Sequence, residues 1–305
     1  MSKPLLSICI PTYNRVDYLR NSLESIINQE EFKLGKVEII ISDNASTDNT
    51  KEVAQKYADT YKNIFFYSNE ENINNNNFPL ALSRGTGCLR RLCNDTLCFK
   101  NGALNYICNI IEKYKYKRPY IFWGNIEKNS EIQEMNFRDG IKEIGYWITS
   151  IASFSIWDSE CEKIENDTNG AELLLWQVRK ALELMSKKNE VVIVNKNISY
   201  IQGVKNKNVS YGLYHIFCEN YFKIINPYLE NGLLTYEDIE FLEKNLLVKF
   251  FPEWCVKWKI QNKEALYSKT EDLYECLYQR FHNKKYWYQF RINYIKFTIK
   301  YKIKK

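Results

Sequence analysis

The stretch Val37 to Thr50, VEIIISDNASTDNT, limits what this chain can fold into more than any other. Val37, Ile39, Ile40 and Ile41 make a short, almost unbroken apolar run rich in β-branched residues, the pattern of a strand buried on both faces. The run stops at Ser42-Asp43-Asn44. Ser46, Thr47 and Asp48 then supply helix N-cap residues ahead of a helical pattern through Val53, Ala54, Tyr57, Ala58 and Tyr61. Strand, polar turn and helix in that order form the unit of an open α/β sheet, where ligands sit beyond the carboxyl ends of the strands. Sequence order alone puts Asp43 at that edge.

The same alternation continues on either side. Leu5 to Ile10 reads as a buried strand that ends in the polar loop Pro11-Thr12-Tyr13-Asn14-Arg15. A helix with Leu19, Leu23, Ile26 and Ile27 on one stripe follows. Ile64 to Tyr67 is a third strand. Glu70 to Asn77, EENINNNN, is a polar loop, either disordered or an ordered part of a ligand site. Pro79 to Ser83 looks helical, and Leu89 to Cys93 is a fourth strand running into Asn94-Asp95-Thr96. A helix carrying Leu104, Ile107, Ile110 and Ile111 precedes a fifth strand at Tyr120 to Trp123. Alternating strands and helices predict a mostly parallel sheet covered on both faces.

Beyond about residue 125 the pattern changes. Tyr146 to Trp157 is a long strand-like run, Ala171 to Met185 a helix, and Val191 to Val194 with Ile198 to Ile201 a hairpin or paired short strands. From Tyr211 the chain is helical and aromatic. The expected divisions are 1–125, 126–205 and 206–305.

Composition narrows the class. With 305 residues, 45% of them hydrophobic, the chain has material for one large or two modest cores. Its nine cysteines form no CxxC, and Cys88, Cys93 and Cys98 recur at a spacing that matches no metal site, so reduced, buried thiols in the cytoplasm are expected. Leu5 to Ile10 is too short for a signal peptide, and no apolar stretch nears the roughly 20 residues that span a bilayer. A net charge of +6 does not by itself argue for nucleic acid, and none is expected as a partner.

Two groups of residues carry chemistry. Pro11, Thr12, Tyr13 and Asn14 should share a sheet edge with Asp43. There a carboxylate can accept a bond from a uracil N–H while a tyrosine ring packs on the base; alternatively Asp43 caps the helix behind it. Arg90, Arg91, Asn94 and Asp95 form the second group. Neighbouring strand arginines point to opposite faces, and a buried one needs an anion. A bound diphosphate, a carboxylate such as Asp95, or a strand edge open to solvent would each serve.

LLSICIPTYNRVDYL, then IIISDNASTDNT, then a glycine-led strand ending LCNDTL ahead of a helix, resembles glycosyltransferase family 2 of the GT-A fold, and within it the abequosyltransferase-like bacterial polysaccharide transferases. The resemblance is good over about residues 3–125, weaker to about 215 and vague beyond. It implies inverting transfer of a sugar from a nucleotide donor, usually a UDP-sugar, to a glycan or lipid-linked acceptor in capsule or lipooligosaccharide synthesis. It implies that Pro11, Thr12 and Tyr13 hold the base, that Asp43, with Asn44 beside it, contacts the nucleoside, and that Asp95 belongs to a DxD-type Mg²⁺ or Mn²⁺ site. Arg84 and Arg91, with Asn94, are expected near the donor phosphates.

This chain departs from its relatives at Asn94-Asp95-Thr96, where most carry two or three acids. A metal held by one carboxylate, the diphosphate and water predicts weak metal dependence. The general base that inversion needs is expected at Glu172, which otherwise is a first-turn helix acid, or at Asp158. His215 is either a packed, hydrogen-bonded histidine or a ligand contact. The run 284–305 has Lys and Arg, no acid, and interleaved aromatics. It lies on the anionic inner face of a membrane, making the protein peripheral, or packs its rings on the C-terminal helices. A rival reading is a transferase-like protein that binds nucleotide-sugar or glycan without catalysis. A nucleotidyltransferase would show a glycine-rich phosphate loop, and PTYNR has no glycine.

Overall fold

The computed structural model describes residues 3–124, 130–203, 212–260 and 272–303. The chain divides into two compact units: Met1–Gly140 with Trp147–Glu172 and Trp176–Gly203, and Ile141–Tyr146 with Leu173–Leu175 and Val204–Lys305.

The strands of the first unit are β1 (Leu6–Thr12), β2 (Val37–Asp43), β3 (Ile64–Ser68), β4 (Leu89–Leu92), β5 (Leu97–Phe99), β6 (Tyr120–Gly124), β7 (Ile132–Met135), β8 (Ser155–Trp157), β9 (Val191–Asn195) and β10 (Ser199–Ile201). The main sheet has the order β3-β2-β1-β4-β8, parallel except for β8. Helices cover both faces, the α/β arrangement of the GT-A fold. Leu6, Ile8 and Ile10 of β1 join Val37, Ile39 and Ile41 of β2 in a core with Leu19 and Leu23 of the helix Val16–Ile27 and Leu104 and Ile107 of the helix Ala103–Tyr114. The alternate residues face the other way, where the helix Asn77–Ser83 packs on β1, β2 and β4.

Two polar residues interrupt these apolar strands, and each satisfies the other. Ser7 of β1 donates to buried Glu38 of β2 at 2.6 Å, and Glu38 also accepts from the Thr86 N–H and hydroxyl and from the Gly87 N–H. The turn before β4 is thereby pinned to the sheet. A Cβ at Gly87 would lie 2.7 Å from the Ser7 backbone nitrogen, so only glycine allows this approach.

Several expectations need correcting. Tyr146 to Trp157 is not one strand: it forms 3₁₀ turns at Gly145–Thr149 and Ile151–Ser153 and only the short β8. The fifth strand, β6, leaves the main sheet and pairs in parallel with β9, which pairs antiparallel with β7. β9 and β10 make no hairpin, because β10 pairs with β5. The helix expected over 171–185 is Trp176–Lys188. The cysteines Cys9, Cys93, Cys98, Cys108 and Cys161 are buried free thiols.

The second unit is helical. The π-turn His215–Asn220 runs into the helix Tyr221–Glu230, and Tyr236–Asn245 continues through a π-turn, Leu246–Phe250, into Phe251–Ile260. Pro252 has no N–H for the carbonyl of Val248 four residues earlier, and Asn293 donates to that carbonyl at 3.0 Å instead. His215 is half exposed and pairs with Glu219 at 2.6 Å rather than being packed. In the last helix, Trp287–Ile303, the Phe290 ring stacks on those of Trp287 and Tyr294, and all three meet the Tyr274 ring at an angle. Among the described residues no helix is long and apolar enough to cross a membrane.

Candidate active site

Parallel pairing of β1 with β2 and β4 brings three strand ends to one edge. Thr12 is the register partner of Asp43, and Cys9 that of Leu92, so the turn after β4 lies beside the end of β1. A cavity of about 340 Å³ opens there. Of the residues singled out in the sequence, Pro11, Thr12, Tyr13, Asn44, Asn94 and Asp95 line it.

Its centre is Asp95, 7% exposed. The Thr12 hydroxyl donates to Oδ2 at 3.0 Å, and Arg15 Nη1 stands 3.7 Å from Oδ1. Burial pushes the carboxyl up to about 6, and Arg15 and Thr12 offset part of that rise. Beside it the Asn94 Oδ1 is buried and accepts no hydrogen bond. Tyr13 keeps 43% of its surface exposed at the cavity.

The loop EENINNNN is ordered, and its asparagines tie it down. The Asn44 side chain donates to Asn72 Oδ1 at 2.7 Å and accepts from the Ile73 N–H at 2.9 Å. Asn77 donates to the Ser42 carbonyl and accepts from its hydroxyl. Asn72, Asn74, Asn75 and Phe78 thus form one wall of the cavity, with Ile151 contributing from a 3₁₀ turn. Arg15 completes it; its place directly after PTYN was the available signal.

Other expected residues stand behind the wall or elsewhere. Asn14, at a positive φ that asparagine tolerates, accepts from the N–H groups of Thr47 and Asp48 and so clasps the first loop to the second. Asp43 is fully buried and accepts from the Ser46 N–H and hydroxyl and, at 3.2 Å, from the Ser68 hydroxyl. Arg84 donates to Ser42 Oγ and Asn69 Oδ1 and lies over the Tyr67 ring, 4.7 Å from its centroid. Arg91 lines a second cavity.

Asp158 is a correction. β8 is antiparallel, with Trp157 opposite Leu89, so Asp158 sits at the amino-terminal edge of the parallel strands, across the sheet from Asp95. It pairs there with Lys3 and, at 2.9 Å, Arg118. Burial favours its neutral form, but these two cations outweigh that and hold it below the usual carboxylate range. A carboxylate so committed is no general base. Glu172 is exposed, lies in the turn before Trp176–Lys188 rather than in a helix, and makes no hydrogen bond or ion pair among the described residues.

Whether a divalent ion suits this edge can be judged from the donors. Among the described residues there is no group of three or more His, Cys, Asp or Glu able to hold a metal. Asp95 and Asn94 both line the cavity and bring a carboxylate and an orphaned amide oxygen to one edge, a set that suits a hard cation taking its other ligands from phosphate and water.

Residues 7–157 match the family model described as Glycosyl transferase family 2. Abequosyltransferase RfbV of Salmonella typhimurium is 46% identical over 85 residues, 27% of this chain and 25% of that protein. The GalNAc(5)-diNAcBac-PP-undecaprenol beta-1,3-glucosyltransferase of Campylobacter jejuni is 30% identical over 152 residues, 44% of this chain and 47% of that protein. The chain spans between a fifth and a quarter of the length of the first curated relatives it matches. In fold it is similar to S. aureus TarS 1-349 in complex with UDP-GlcNAc, with a TM-score of 0.58 and 14% identity over 98% of this chain and 92% of the other. It is also similar to the mannosyltransferase PcManGT of Pyrobaculum calidifontis in complex with GDP-Man and Mn²⁺, with a TM-score of 0.51 and 14% identity over 98% and 87%.

Proposed function

The chain belongs to glycosyl transferase family 2 through residues 7–157, and from that premise we propose that it is an inverting transferase that moves a sugar from a UDP-sugar to a glycan or lipid-linked acceptor, in the synthesis of a bacterial surface polysaccharide. The observation that carries this reading is the Thr12 hydroxyl on the Asp95 carboxylate, inside a cavity at the carboxyl edge of β1, β2 and β4.

Tyr13 offers a flat ring for the base. Asp43, buried behind it, accepts from Ser46 and Ser68 and so fixes the turn that brings Asn44 to the cavity. Asp95 and Asn94 would hold Mg²⁺ or Mn²⁺, which when bound neutralises charge that the diphosphate gains on leaving. Arg15 adds a fixed positive charge on the same side. Arg84 supports the strand end from behind. In the transfer step the acceptor hydroxyl loses its proton to a carboxylate base, its oxygen forms the new bond at the anomeric carbon, and that carbon's bond to the diphosphate breaks. The uncommitted Glu172 is the base in this reading.

With a UDP-sugar and a saccharide acceptor the chain should release UDP. EDTA should slow that release, and millimolar Mg²⁺ should restore it. Glu172→Gln should cut turnover by about 10²-fold with donor affinity unchanged. Unchanged turnover removes Glu172 from the role, and no UDP release with any sugar nucleotide favours the non-catalytic binder.

A place on the inner face of the membrane rests on the last helix. Trp287, Phe290 and Tyr294 pack inward, but Tyr288, Ile292, Ile295, Ile299 and Ile303 are exposed at helical spacing, with Arg291, Lys296, Lys300 and Lys302 around them. An apolar stripe flanked by cations suits an anionic lipid surface. The chain should float with phosphatidylglycerol vesicles at low salt, and the double variant Ile295→Asp, Ile299→Asp should not. Equal flotation of both contradicts this placement.

A further inference from the structure

A second cavity, of about 210 Å³, lies in the first unit next to the first. The turn carrying Ile151 separates them: Ile151 faces the Asp95 cavity, while Ser150, Ala152 and Ser153 face the other. Arg91 forms part of its wall and is 2% exposed. Nε and Nη2 donate to the Ala152 carbonyl at 3.2 and 2.9 Å, and the guanidinium lies 4.9 Å from the Trp123 ring centroid and 5.6 Å from that of Phe99. Nη1 is buried with no partner.

No carboxylate among the described residues pairs with this arginine, and burial works against its charge. A guanidinium cannot shed its proton to escape that cost. Lys196, the other cation on the wall, is already bound to Glu131 at 2.9 Å. The wall therefore carries one buried positive charge that a carbonyl and two rings contact but no carboxylate neutralises, with one of its donors unpartnered. Trp147 and Tyr200, both about half exposed, offer ring faces, and Ser150, Ser199 and Asn197 offer polar groups. Apolar faces with a few convergent polar groups make a ligand site, and this mixture suits a sugar ring bearing an anion.

We infer that this cavity is the acceptor subsite and that it takes a saccharide carrying a carboxylate or a phosphate, bound to Arg91. The inference rests on the transferase reading above and adds the acceptor's chemical class. Ligand-observed NMR on the full chain tests it with glucuronate, glucose 6-phosphate and glucose as probes, and with UDP in parallel. At least one anionic sugar should bind ten-fold or more tightly than glucose, and which one does identifies the group. Arg91→Leu should abolish that preference while changing UDP affinity less than two-fold.

Should Arg91→Leu fail to fold, Tyr200→Ala, at a half-exposed position on β10, should weaken all three sugars several-fold and spare UDP. UDP binding without any preference for anionic sugars overturns the inference and leaves the transferase reading intact. So does an Arg91→Leu variant that folds and loses UDP and anionic sugar alike. Anionic sugar bound without UDP overturns the acceptor role and the transferase reading together.

Discussion

Asp95→Asn should melt higher than the parent chain at pH 7.5 and, under the proposed transferase function, release UDP about 10²-fold more slowly. Both effects come from one buried carboxylate. The usual Asp value of 3.8 is raised to about 6, mainly by burial, so the folded protein binds a proton more tightly than the unfolded chain. That contribution is fully present below pH 4 and is lost as pH rises through 6. At pH 7.5 the ionised carboxylate therefore costs stability on the order of 3 kcal/mol in the metal-free protein. The asparagine amide removes that cost and keeps an acceptor for Thr12. Melting curves for the two proteins should separate by several degrees above pH 7 and converge below pH 4. Activity lost without a gain in stability would mean that Asp95 is not held at a strained, functional pKa. Activity retained would remove it from the reaction.

Glu38→Ala should lower the unfolding free energy by about 3–4 kcal/mol, the largest effect expected from a residue outside both cavities. Its carboxylate accepts from Ser7 and from the backbone of Thr86 and Gly87. Ser7 is buried, so water cannot replace its lost acceptor, whereas the Gly87 N–H keeps its 2.8 Å bond to the Ser7 hydroxyl oxygen and exposed Thr86 can be rehydrated. Urea unfolding measures the loss, and Glu38→Gln should recover part of it by refilling the space. A change below about 1 kcal/mol would show that this buried carboxylate does not hold the turn before β4. Because that turn starts the strand that carries Asn94 and Asp95, the alanine variant should also bind nucleotide more weakly.

Sequence pattern made the first half of the sheet legible for a physical reason. β1 and β2 are buried on both faces, so every position reads apolar, and the abrupt change to PTYN and SDN marks where the strands end. Where one face or a short length suffices, the signal fades. β5 and β8 have three residues each, and the four of β7, Ile132–Met135, include charged and polar residues, so periodicity had little to act on. The direction of β8 could not be read at all, and it is what moves Asp158 to the wrong edge. At the site, the break from apolar strand to PTYN marked Thr12 and the family resemblance pointed to Asp95; the structure adds that β1 and β4 are neighbours, so the two meet. The asparagines of EENINNNN left order and disorder equally open, because a run of amides reads alike whether it is hydrated or, as here, hydrogen-bonded to Ser42 and Asn44. Arg91 was recognised as needing an anion, and the structure gives it π-faces and a carbonyl but no carboxylate.

The central claim is that loops from four parallel strands close on one nucleotide. Hydrogen–deuterium exchange with and without saturating UDP tests it segment by segment. Exchange should slow in 11–15, 43–48, 69–78 and 93–96 and stay unchanged at 197–201. Slowing confined to 197–201, or none in the first three loops, would contradict the account.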